Sequence, residues 1–180
     1  LCLFLAQRFF ASAQLPTALP SIDTFSPALL GSVPSNGLCS GASVVAVPMS
    51  TPVTVTGNNQ NAPTDPVFVA NVVWEGFTTT GCSDLTVSYC GTTPNFQGGL
   101  VYLATGCPLT NLVFNSAANI IPNICGDANF GIRFPGLPAG TYYYPVLEAP
   151  GSSGDYTLVF TAEPCTSAPP GNALCSGAVP

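Results

Sequence analysis

The sequence contains no histidine and no lysine, and its two cations are Arg8 and Arg133. Without histidine it lacks the usual general base, the commonest metal ligand and the side chain that changes charge near neutral pH. Without lysine there is neither Schiff-base chemistry nor the cation of a phosphate-binding loop. Two arginines cannot neutralise the row of phosphates that holds a nucleic acid, nor form the basic patch that docks on an anionic membrane. Nucleic acid is therefore excluded as a partner, and most enzyme classes go with it. No catalytic residue, no cofactor and no metal ligand set is expected. Charged residues of either sign make up only 6% of the 180, yet 47% are hydrophobic. Disorder driven by net charge is thus ruled out, and the length suits one domain with its ends.

Helical periodicity is missing too: between residues 43 and 162 no stretch keeps it over three turns. In its place stand short β-branched and aromatic runs separated by Gly, Pro, Asn and Ser. Val53 to Thr56, Asp84 to Tyr89, Phe130 to Phe134 and Tyr156 to Phe160 each alternate, which predicts strands with one buried face. Val67 to Phe77 is apolar on both faces, which predicts a central strand covered on both sides. Leu100 to Ala104, Leu112 to Phe114 and Tyr142 to Leu147 complete about nine strands. The regular strand and turn spacing predicts an all-β, antiparallel sandwich of jelly-roll type.

The chain opens on an apolar run, Leu1 to Leu5, followed by the small-residue triplet Ala11-Ser12-Ala13. This reads as the remains of a signal peptide over residues 1–13, cleaved before Gln14. No later stretch is apolar and long enough to span a membrane, so the mature chain is expected not to insert. Residues 14–35 carry Pro16, Pro20, Pro27 and Pro34, a spacing that reads as a linker. Asn36, Leu38, Cys39, Ser40, Gly41 and Ala42 then recur as Asn172, Leu174, Cys175, Ser176, Gly177 and Ala178. This repetition predicts a tandem array: a domain at 36–165, then at 166–180 a linker and the start of a truncated second copy. The chain is accordingly expected to be a piece of a longer protein with neighbouring repeats as partners.

Cys39, Cys82, Cys90, Cys107, Cys125 and Cys165 lie inside one repeat, an even number that reads as three structural disulfides in an exported protein. Because Cys39 and Cys165 bracket the domain, a bridge between them is the first expectation, although six cysteines leave the connectivity open. Among the acids, Glu75 sits in an apolar strand beside Trp74, where burial would raise its pKa. Strand alternation is expected to turn it outward or to the rim instead. Asp84, Asp127 and Asp155 lie near predicted turns, where they either converge on calcium or simply form the turns. Tyr142, Tyr143 and Tyr144 offer either core packing with one exposed ring or a platform for a sugar. The Thr, Asn and Ser surface reads as an adhesive hydrogen-bonding face or as a plain acidic exterior, and no sequon for N-glycosylation occurs.

The segment Gly136 to Phe160 runs Leu137, Ala139, Gly140, Thr141, Tyr142, then Gly151 to Ser153, then Gly154, Asp155, Tyr156, Thr157 and Leu158. In that order it resembles the end of the bacterial pre-peptidase C-terminal domain family and its relatives in tandem-repeat surface proteins. Gly151 and Gly154 are expected to permit a hairpin, with Tyr142, Tyr156 and Leu158 facing one core. Asn36 to Cys39, Trp74, Val87 to Gly91 and Leu100 to Leu103 resemble Cys-rich secreted variants of the same family. The resemblance implies a sandwich that serves binding, adhesion or processing beside secreted peptidases or along extracellular arrays, without catalysis of its own. A surface glycan or a protein is then the expected partner. Some relatives hold calcium in acidic loops, but no run of alternating Asp carries that property over.

Overall fold

The computed structural model describes residues 32–108, 111–114 and 119–166. The expected signal segment, Cys2, most of the Pro-rich lead-in and the second motif copy with Cys175 lie outside the described residues. Two sheets face each other as a β-sandwich. In the first, the order is β1 (Val44–Ala46), β4 (Ala70–Thr79), β10 (Gly140–Glu148), β6 (Tyr102–Ala104) and β7 (Leu112–Phe114), with β3 (Thr64–Asp65) also paired to β4. In the second, it is β2 (Val53–Asn58), β11 (Asp155–Pro164), β5 (Ser83–Ser88), β9 (Gly131–Leu137) and β8 (Ile120–Ile121). From β4 onward the chain crosses repeatedly between the sheets, in jelly-roll fashion. Among the described residues all strand pairs are antiparallel except β1 with β4, which run parallel.

Alternation explains most of these strands. On β11, Tyr156, Leu158, Phe160 and Ala162 are buried, while Asp155, Thr157, Val159 and Thr161 are exposed or half-buried. β4 is covered on both sides, as its composition predicts. Val73 and Phe77 enter the core between the sheets, whereas Val72 and Trp74 pack on the other side beneath Phe68, Leu100 and Tyr143. Each such large side chain contributes about 1.5–3 kcal/mol by leaving water.

Two expectations about strand ends are corrected. β4 begins at Ala70 rather than Val67, because Asp65 Oδ1 accepts hydrogen bonds from the amides of Val67 and Phe68 and bends the chain into a turn. Gly151 and Gly154 do not close a hairpin. β10 pairs with β4 and β6, and β11 with β2 and β5, so the glycines, at φ of 79° and 115°, serve a crossing from one sheet to the other.

All six cysteines between residues 36 and 165 are bridged, as expected, but the expected pairing of Cys39 with Cys165 is not found. Cys39 joins Cys107, Cys82 joins Cys165 and Cys90 joins Cys125. Cys165 follows the end of β11, which runs antiparallel to β5, so it meets Cys82 just before β5; its amide donates to the Cys82 carbonyl. Three intramolecular bridges place the folded chain in an oxidising environment. Among the described residues no helix is long and apolar enough to cross a membrane.

Candidate functional site

Glu75 is only 5% exposed and so does not face outward, but it borders a cavity with Asn36, Gly57 and Asn58, in keeping with the rim position also expected of it. It shares the parity of Val73 and Phe77, the two β4 residues of the inter-sheet core. Its Oε1 accepts from the Tyr156 hydroxyl and, at 3.0 Å, from Asn36 Nδ2, which also donates to the Trp74 carbonyl. Burial raises the Glu75 pKa, and these two hydrogen bonds partly oppose the rise. Burial also raises the Tyr156 phenol, helped by the neighbouring carboxylate. Hydrolysis of a glycoside by paired carboxylates would need a second acid facing Glu75 across a sugar. Its hydrogen-bond partners are instead a phenol and an amide, so the arrangement ties strand to strand.

The three aspartates do not converge. Asp84 is the second residue of β5, close after the bend at Thr80 and Gly81; it accepts from Arg133 Nη2 at 2.7 Å and from the Gly136 amide at 2.8 Å. The Gly136 amide, ahead of Arg133 and Thr166, holds its carboxyl below the usual range. Asp127 accepts from the amides of Gly91 and Asn129, which lower its pKa. Asp155 accepts from Asn58 Nδ2. Among the described residues no group of three His, Cys, Asp or Glu side chains is placed to hold a metal ion.

The tyrosine run offers no open platform. Tyr142 and Tyr144 are buried in the main core, Tyr144 sharing a hydrogen bond of 3.2 Å with Tyr89, and Tyr143 packs half-buried on the opposite face near Trp74.

A feature that alternation alone did not reveal lies on the outer face of the second sheet. Thr56 faces Thr157, and Asn58 faces Asp155, along the ladder between β2 and β11. These four polar residues floor a groove of about 620 Å³, and Gly91, Thr92 and Thr93 form its wall. The wall is held firmly. Thr92 Oγ1 accepts from the Thr157 amide at 2.9 Å and donates to the Thr157 carbonyl at 3.0 Å, taking the place of a neighbouring strand. The Cys90–Cys125 bridge and the bond from Gly91 N–H to Asp127 anchor its root. The sequence signals were the outward Thr54, Thr56 and Thr157, but only the fold shows that a loop beyond β5 stands beside them.

Fold and groove together define a disulfide-stapled β-sandwich with a rigid polar groove on one outer face. No family model, curated protein or solved structure matches the chain.

Proposed function

We propose that the chain is a non-catalytic extracellular binding and structural β-sandwich repeat of a larger bacterial secreted or cell-surface protein, adhesin-like in its use and related to the pre-peptidase C-terminal domains. The observation that carries this reading is the groove itself, an accessible hydrogen-bonding surface on a sandwich whose loops are stapled by three disulfides. The missing His and Lys support it, as does Glu75, which is spent on joining the sheets. The repeated Asn-x-Leu-Cys-Ser-Gly-Ala motif supports a tandem array presenting the same face many times. The order of motifs from Leu137 to Leu158 favours a second reading, an accessory domain of a secreted peptidase or other hydrolase.

Retention of the full chain on intact bacterial and host cell surfaces, measured beside peptidase and glycosidase assays, tests the proposal. The chain is expected to be retained without releasing product. A chain that no surface retains, or one that hydrolyses its ligand, overturns it.

A further inference from the structure

We propose that the groove over β2 and β11 binds a neutral, polyhydroxylated glycan; this rests on the binding-module reading and assigns it a site and a ligand class. The floor is a two-by-two array, with Thr56 opposite Thr157 and Asn58 opposite Asp155. Facing residues on adjacent antiparallel strands stand about 5 Å apart, and alternate residues along one strand about 7 Å, so the array is on the scale of a sugar ring.

Its chemistry is that of a hydroxyl receptor. Threonine hydroxyls both donate and accept, the Asn58 amide donates, and the Asp155 carboxylate accepts. Asn58 Oδ1 accepts from the Gln60 amide at 2.8 Å and its Nδ2 donates to Asp155 Oδ1. The pair is thereby oriented in advance, and Asp155 Oδ2 is left to accept from a ligand. Among the described residues no cation lines the groove, and the chain carries a net charge of −6, so acidic polymers are disfavoured.

Preorganisation reduces the ordering that binding requires. The Thr92 clasp on Thr157 and the Cys90–Cys125 bridge supply it. Among the described residues the lining offers no exposed aromatic ring for stacking, Tyr156 being buried, so each site is weak alone. Repetition along a tandem array multiplies such weak contacts into firm attachment.

The test is affinity electrophoresis of the full chain in gels containing a soluble mannan, β-glucan or galactan, with heparin and polygalacturonate as acidic controls. At least one neutral polymer is expected to retard the chain, and the acidic ones are not. Thr56→Trp, which fills the groove from an exposed position, and Asp155→Ala should each weaken retardation at least tenfold without lowering the melting temperature. Retardation that both folded variants keep overturns the site and leaves the binding-module reading standing. Retention on cell surfaces without retardation by any neutral polymer overturns the ligand class alone. Absence of both overturns this inference together with the reading on which it rests.

Discussion

Tyr156 on β11 donates its hydroxyl to Glu75 on β4, a hydrogen bond that crosses the space between the two sheets. Asn36 donates to the same carboxylate oxygen from the segment preceding β1. The tie therefore joins three parts of the chain far apart in sequence. A buried carboxylate held in this way is costly to ionise and also costly to delete, because the buried Tyr156 hydroxyl would lose its acceptor.

Glu75→Gln and Glu75→Ala should consequently differ. Glutamine keeps an acceptor for both donors and removes the charge. The folded-state pKa of Glu75 is raised, so its contribution to stability is complete below the ordinary glutamate value and is lost as pH rises through the folded one. Denaturation of Glu75→Gln should match wild type near about pH 4 and exceed it at about pH 8. Glu75→Ala takes the acceptor from the buried Tyr156 hydroxyl, while Asn36 keeps the Trp74 carbonyl, and should cost about 1–3 kcal/mol.

Gly57→Ala probes the other side of the same tie. A Cβ at this position would collide with the Tyr156 hydroxyl and ring. The ring must then shift away from Glu75 or the β2 edge must move, and overpacking of this kind costs about 1–3 kcal/mol. Thr56→Ala, one residue away and outward-facing, is expected to leave the melting temperature unchanged.

Asp84 has the opposite pH signature. Its pKa is lowered, chiefly by the Gly136 amide and then by Arg133, so its contribution is present above the ordinary aspartate value and lost as pH falls through the folded one. Asp84→Asn should cost about 1.5–3 kcal/mol at neutral pH, the range for hydrogen bonds to a charged group. The difference from wild type should close in acid. A gap that persists at about pH 2 would show that packing rather than charge holds this corner together.

The disulfide pattern can be read by peptide mapping of the unreduced protein. With so few cations trypsin is of little use, and chymotrypsin should yield linked peptides joining Cys39 to Cys107, Cys82 to Cys165 and Cys90 to Cys125. The bridged residues Cys82 and Cys165 are 83 apart in sequence and Cys90 and Cys125 are 35 apart. Loop entropy then makes loss of the longer link costlier by roughly 0.8 kcal/mol. Equal costs would mean that native contacts around the shorter loop outweigh chain entropy.

The strands were legible because alternation is a local property. Tyr156, Leu158 and Phe160 announce their shared face without knowledge of what lies opposite. β4 was legible as a strand covered on both sides, and that same fact should have placed Glu75 inside, since such a strand has no outward face in its middle. The outward half of the expectation failed by treating Glu75 as though β4 had a wet side; the rim half accords with the cavity that Glu75 borders. Disulfide partners were not legible, because they depend on which strands pair: Cys82 meets Cys165 only because β5 lies beside β11. The groove was half legible. Thr56 and Thr157 read as outward, but their alignment and the loop beside them depend on register and on hydrogen bonds from Thr92.

The central claim, that this sandwich binds and does not catalyse, is tested most directly by incubating the wild-type chain and Glu75→Gln with purified cell-surface glycans, following both retention and release of reducing ends. The account predicts that both proteins are retained alike and that neither releases sugar. Release of reducing ends by wild type, abolished in a folded Glu75→Gln, would contradict it and make Glu75 a catalytic acid.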